Sequence, residues 1–215
     1  MRILVGVCSG RDWKPQFGVH FALAICTARH QGHEIGLESI DIKAGVAQSN
    51  IAQARQDIVR YALDNGHTHI MMFDDDMTFP PDVILQLAKH NKQVVFPNVC
   101  RKLPNQVSGV VLDDNLERLN STGLSGLQKV PYGTLACTLI EVSALKDLQE
   151  PHFEVLWNPM NNGQYVGEDH YFFRKLGLNG VEFYVDNDLT QSVAHIGDYS
   201  YKFPEVESLK LRSVA

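Results

Sequence analysis

One short run constrains this chain most: IMMF at residues 70–73, four consecutive apolar residues that stop at Asp74, Asp75 and Asp76. An apolar run without polar alternation suits a strand covered on both faces, and so predicts a sheet buried between helices. The three aspartates then fall where that strand leaves its sheet, the edge at which open α/β sheets bind ligands. Adjacent carboxylates repel one another, so a fold that gathers them normally supplies a cation. Successive strand side chains alternate, which predicts that Asp74 and Asp76 share a side while Asp75 faces away. That spacing offers two hard oxygen ligands to Mg²⁺ or Mn²⁺, which in turn hold phosphates. The same residues also read as an acidic turn solvated at a strand end.

The rest of the first hundred residues alternates strand and helix. Residues 3–8 (ILVGVC) predict a first buried strand, and residues 17–30 have helical spacing and end near Gly32. A second strand is expected over 34–42. Ser49 or Asn50 caps the clearest helix, IAQARQDIVRYALDNG, with Ile51, Ala54, Ile58 and Tyr61 on one face and Gly66 closing it. Pro80-Pro81-Asp82 opens a helix through Lys89, and residues 93–97 (QVVFP) form another short strand. Such alternation argues for an α/β fold, a mostly parallel sheet flanked by helices on both faces.

Beyond Asn98 the texture becomes more irregular. Residues 107–112 and 116–119 predict short antiparallel strands around Asp113-Asp114-Asn115, residues 134–142 a strand, and 143–148 a short helix. A polar loop over 158–163 (NPMNNG) is expected to order on ligand binding. A helix over 168–176, followed by Gly177, and a strand over 181–185 complete the pattern. The whole, residues 1–215, reads as a single domain with a first half over about 1–100, a second over about 101–200 and a tail over 201–215.

A chain of 215 residues needs no disulfide or zinc staple. Its four cysteines, Cys8, Cys26, Cys100 and Cys137, form no CxxC pair and lie in or beside apolar stretches, as in a reduced cytoplasmic protein. The apolar part of the N-terminus is too short for a signal peptide, and no run is long enough to span a membrane. A net charge of −6 argues against a generally basic binding surface. Arg101-Lys102 reads as solvated surface charge.

Four places besides the aspartates can carry chemistry. Glu168 and Asp169, after Gly167, lie at a helix start, where the dipole favours acids; either can also serve as a general base. His195, between Ala194 and Ile196, is either a third metal ligand or a structural histidine. Asn50 and Arg55 at the start of a helix suit phosphate, or else are a cap and a surface charge. Gly133, in Tyr132-Gly133-Thr134, admits a sugar or nucleotide close to the backbone, or makes a turn. No GxxxxGK[ST] loop, GxGxxG, CxxC or HExxH occurs, which removes P-loop, dinucleotide and zincin readings.

In order, the phrases SNIAQARQDIVRYAL, THIMMFDDDMTFPPDVILQL, VVFPNVCRK, PYGTLACTLIEV, GEDHYFFRKLGLNG and VAHIG resemble the metal-dependent GT-A glycosyltransferases with an Asp-x-Asp motif, closest to the small enzymes common in phage and bacterial genomes. The resemblance spans residues 49–197 and implies a Rossmann-like GT-A fold whose first half binds a nucleotide-sugar and whose second half faces the acceptor. It implies Mn²⁺ or Mg²⁺ held by Asp74, Asp76 and His195. Donor contacts would come from Ser9, Arg11, Asn50, Arg55, Asp74 and Asp75. Asp169, or Glu168, would deprotonate the acceptor hydroxyl in an inverting transfer. The acceptor stays open between a polysaccharide and a hydroxymethylated DNA base. Two other classes compete: a nucleotidyltransferase, which wants a Gly-rich basic loop that CSGRDWK does not provide, and a binding module, which has no need of Asp169.

Overall fold

The computed structural model describes residues 1–10, 12–45, 50–102, 109–158, 163–197 and 200–202. Strand β1 (Arg2–Cys8) leads to helix α1 (Pro15–Gln31), β2 (Ser39–Gly45), α2 (Ile51–Asp64), β3 (His69–Asp74), β4 (Met77–Thr78), α3 (Val83–Lys89) and β5 (Val94–Phe96). Then come β6 (Leu127–Val130), β7 (Cys137–Glu141), β8 (Leu156–Asn158), β9 (Gln164–Val166), α4 (Glu168–Leu178), β10 (Phe183–Asp186), α5 (Asn187–Thr190), β11 (Ala194–Ile196) and β12 (Ser200–Tyr201).

Seven strands form the central sheet in the order β2-β1-β3-β7-β5-β10-β6. Strands β2, β1, β3, β5 and β10 run one way and β7 and β6 the other, so the sheet is mostly parallel, as expected. The register places Cys8 beside Asp74 at one end of β1 and β3. Continuous burial explains the continuous apolar runs. Ile3, Val5, Val7, Met71 and Phe73 pack with Phe17, Phe21 and Ile25 of α1 and Ile84 and Leu87 of α3. Leu4, Ile70 and Met72 pack on the opposite side, with Ile58 and Val59 of α2 and Phe172, Phe173 and Leu176 of α4. Helices α2 and α4 therefore share one face of the sheet. Gly6 permits that closeness, since a Cβ there would lie 2.6 Å from Cγ2 of Ile58.

Several expected boundaries move. Residues 32–35 form a 3₁₀ turn closed by left-handed Gly36 (φ 66°), so the second strand starts at Ser39 rather than at residue 34. The buried face of α2 keeps Ala54 and Ile58 of the expected one and adds Arg55 and Gln56, whereas Ile51 and Tyr61 are exposed. Gly177 lies inside α4, and Gly180 (φ 78°) makes the left-handed exit. Between 109 and 119 the pairing is by isolated bridges (Leu112 with Arg118 and with Tyr132) rather than strands, with Leu116 at φ 61° in the turn. Most of the polar loop at 158–163, the Ser49 cap and residues 203–215 of the tail lie outside the described residues. No helix among the described residues is long and apolar enough to cross a membrane.

Candidate active site

The ends of β1 and β3 and the start of α2 enclose a cleft of about 340 Å³ lined by Cys8, Ser9, Gly10, Ile51, Ala54, Asp74, Asp75 and Asp76. Each aspartate has its backbone anchored by a different element. Asp74 N–H donates to the Ala136 carbonyl (2.9 Å), the Asp75 carbonyl accepts from Lys14 N–H (3.4 Å), and the Asp76 carbonyl accepts from Ile196 N–H (2.6 Å). The strand ends at Asp74, and Asp75 and Asp76 form the turn before β4. Strand alternation therefore does not set their directions, which corrects the expectation that Asp74 and Asp76 act as an i, i+2 strand pair.

Asp74 faces Arg55, which is 4% exposed. One arm of that guanidinium donates to Asp74 Oδ1 at 2.9 Å (Nη2), and the other (Nη1) donates to Glu168 Oε1 at the start of α4. Burial alone would favour the neutral arginine; Asp74, Cys8 and Glu168 outweigh it and raise its pKa, so it stays charged. Both arms are thus engaged with carboxylates, and Arg55 is buried rather than the surface charge that was one of the two readings from sequence. Burial also pushes the Cys8 thiol up to about 11, although Arg55 beside it works the other way.

Asp76 is the most tightly surrounded of the three. Lys102 Nζ donates to its Oδ2, and His195 Nε2 stands 3.3 Å from its Oδ1. Burial favours the neutral acid, but His195 and Lys102 together pull the carboxyl down to about 2. His195 reaches this point because β11 pairs with β4, setting His195 opposite Met77. Its Nδ1 lies 3.2 Å from the Cys100 carbonyl, which only accepts, so Nδ1 carries the proton and the Nε2 lone pair faces Asp76 when the ring is neutral. Asp75 lies beside Ser9; burial, with Asp76 and Asp74 adding, raises its pKa against the Ser9 hydroxyl.

The fit to a divalent cation can be judged from these atoms. Asp76 Oδ1 is buried and has no hydrogen-bond partner of ordinary geometry. A separation of 3.3 Å from a histidine nitrogen is close to the roughly 3 Å between neighbouring ligands around a cation with bonds of about 2.1 Å. Asp76 and His195 therefore fit as a ligand pair. Asp74 is held by Arg55, and no group of three or more His, Cys, Asp or Glu side chains gathers as metal ligands among the described residues.

Of the remaining expected residues, Ser9 lines the cleft and Arg11 lies outside the described residues. Asn50 is the cap of α2, its Oδ1 accepting from Ala52 N–H (3.1 Å) and Gln53 N–H (3.3 Å). Asp169 Oδ1 accepts from His170 N–H at 2.7 Å, and Asp169 sits one residue into α4 from the tethered Glu168. Gly133 makes no left-handed turn: a Cβ there would lie 2.2 Å from Cζ of Phe96, so the glycine makes room for the core. Lys102 is the residue that sequence reasoning set aside. Its basic charge three residues after a buried Asn-Val pair was visible, but nothing local tied it to Asp76.

Comparison with known proteins follows the same geometry. The Anp1 family model matches residues 42–116, a stretch that includes α2, β3 and the aspartate turn. No curated protein sequence matches the chain. Among solved structures, A197 from STIV superposes with a TM-score of 0.65 at 17% identity, over 95% of this chain and 95% of that one. GalNAc-T7, solved with UDP, GalNAc and Mn²⁺, gives 0.56 at 12% identity over 94% of this chain, which corresponds to 44% of its own length. The catalytic domain of Drosophila β1,4-galactosyltransferase 7, in complex with xylobiose, gives 0.52 at 13% identity over 100% of this chain and 79% of that one. The fold of the chain is that of the GT-A glycosyltransferases.

Proposed function

We propose that this protein is a metal-dependent glycosyltransferase that moves a sugar from a nucleoside-diphosphate sugar to a hydroxyl acceptor. One observation carries the reading: at one end of a GT-A sheet Arg55 joins Asp74 to Glu168 at the acidic start of α4, and His195 of β11 stands against Asp76 of the same aspartate run. The matched family segment and the UDP, GalNAc and Mn²⁺ named for GalNAc-T7 agree with it.

In this reading Asp76 and His195 hold Mn²⁺ or Mg²⁺, with Asp74 and Asp75 toward the donor. When bound, that cation supplies Lewis-acid stabilisation of charge on the departing nucleoside diphosphate. Ser9, at the end of β1, contacts the nucleoside part. Arg55 fixes Asp74 and Glu168 and thereby sets α4 against the cleft. Glu168 is tied to Arg55, so Asp169 is the residue left to take the proton of the acceptor hydroxyl, the role an inverting transfer requires. The first half of the chain then serves the donor and the second the acceptor. A glycan acceptor suits the chain better than DNA: the net charge is −6, and the β8–β9 hairpin leading into α4 exposes Trp157 and Tyr165, ring centroids 5.0 Å apart.

The test is release of nucleoside diphosphate from a panel of nucleotide-sugars with Mn²⁺ present. Release from one donor, abolished by EDTA and by Asp76→Ala, is the expected result. Release that persists in both would remove the metal from the mechanism. No turnover and no donor-induced thermal shift across the panel, with acceptors supplied, would remove glycosyl transfer.

A further inference from the structure

Lys102 takes part in the cleft without belonging to any assignment made so far. Its ammonium sits on Asp76 Oδ2, on the carboxylate whose other oxygen faces His195. The segment that delivers it is anchored at its root. Asn98 is fully buried, its N–H donates to Thr190 Oγ1 (2.8 Å), and its amide donates to the Leu119 carbonyl and to Ser121 Oγ (both 2.9 Å). Two residues on, the Cys100 carbonyl fixes the tautomer of His195. Two further on comes Lys102, whose side chain is 34% exposed and free to swing on its four-carbon stem. One five-residue segment thus orients one candidate ligand and neutralises the other.

An ammonium on Asp76 repels a dication on the same carboxylate, whereas a diphosphate attracts both cations. Resting on the metal-dependent reading above, we propose that Lys102 is a donor-sensing counter-ion: it holds Asp76 while the cleft lacks donor and transfers to the donor's diphosphate when donor and cation bind together. Donor-free protein therefore binds the cation weakly, and the diphosphate is gripped by a charge that moves with it. An ion pair that served the fold alone would predict no weakening of nucleoside diphosphate binding when Lys102 is removed.

The experiment is a Mn²⁺ titration followed by the EPR signal of the free ion, on the wild type, Lys102→Met, Lys102→Arg and Asp76→Asn, alone and with UDP, GDP, ADP or CDP as the probe. Without nucleotide, Lys102→Met is expected to bind Mn²⁺ roughly five- to tenfold more tightly than wild type. With saturating Mn²⁺, it is expected to bind the preferred nucleoside diphosphate roughly tenfold more weakly, while Lys102→Arg stays within about twofold. Two unchanged constants, or a change in only one of them, would overturn the transfer and leave the metal site standing. Asp76→Asn binding Mn²⁺ as the wild type does, or no binding by any of the four with nucleotide present, would remove the metal reading itself and Lys102's role with it.

Discussion

Arg55 grips Glu168 across 113 residues of sequence, and the same guanidinium holds Asp74 at 2.9 Å on the neighbouring strand end. This arginine is the fixed link between the strand that ends in aspartates and the helix that begins with acids. Removing it leaves two carboxylates facing each other with no cation between them. Breaking a buried pair by deleting one partner costs about 3–5 kcal/mol. Arg55→Met is expected to lose stability on that scale in urea denaturation, and Arg55→Lys, which cannot span both carboxylates, to fall between it and wild type. A loss under about 0.5 kcal/mol for Arg55→Met would show that the link carries little.

Glu168 and Asp169 are adjacent yet differently placed, one tied to Arg55 and the other accepting from the His170 N–H in the first turn of its own helix. Glu168→Gln is expected to lower the melting temperature while keeping measurable transfer. Asp169→Asn should instead leave the melting temperature within a few degrees and reduce kcat by about 10²–10⁴, the range for loss of a general base. The reverse pattern would exchange the two roles.

His152 offers a pH signature away from the cleft. Gln56 Nε2 donates to its Nδ1 (2.9 Å), which binds the ring as the neutral form, and Gln56 Oε1 accepts from the His152 backbone N–H (2.8 Å). Burial lowers its pKa, against the pull of nearby Glu150. The unfolded chain thus takes up the proton first as pH falls. The contribution of His152 to stability is complete above the ordinary histidine value of about 6.5 and declines below it. His69, also lowered by burial, adds the same sign. Chemical denaturation at about pH 7.5 and 5.5 should show a smaller loss in His152→Asn than in wild type; an equal loss would assign the titration elsewhere.

Gly133→Ala tests whether that glycine belongs to the core. Its Cβ would lie 2.2 Å from Phe96 Cζ and 2.7 Å from Phe173 Cζ, which is overpacking and should cost about 1–3 kcal/mol. Donor affinity, measured on the fraction that remains folded, should be unaltered. A stable variant with weakened donor binding would restore the close-approach role.

Much of this architecture was legible because it is local. The apolar stretch ending at Phe73 marked a strand buried on both sides, and Asn50 and Gly66 bracketed α2 as caps do. Other features depend on partners far away in sequence. Strand β7 inserts antiparallel between β3 and β5, pairing Ile70 with Ile140 and Val94 with the same residue, and its own residues give no sign of which neighbours it takes. Strand β6, LQKV, is exposed at the sheet edge and carries too little apolar pattern to announce itself. In α2, helical spacing was read from Ile51, Ala54, Ile58 and Tyr61; Ala54 and Ile58 are buried as read, but the buried face also takes in Arg55 and Gln56, which bond to Asp74, α4 and the His152 segment. Site composition was legible in Asp76 and His195. Their meeting was expected from the resemblance alone, because nothing local announces the two strands of two and three residues on which it rests.

That pairing also ties the cleft to the far end of the described chain. The strands of the main sheet end at Asp186, yet the carbonyl of Asp76 takes the N–H of Ile196, and its carboxylate faces the ring of His195. A cleft that opens on one sheet is thus bordered by another, and a three-residue strand set on a two-residue one decides where the histidine meets the carboxylate.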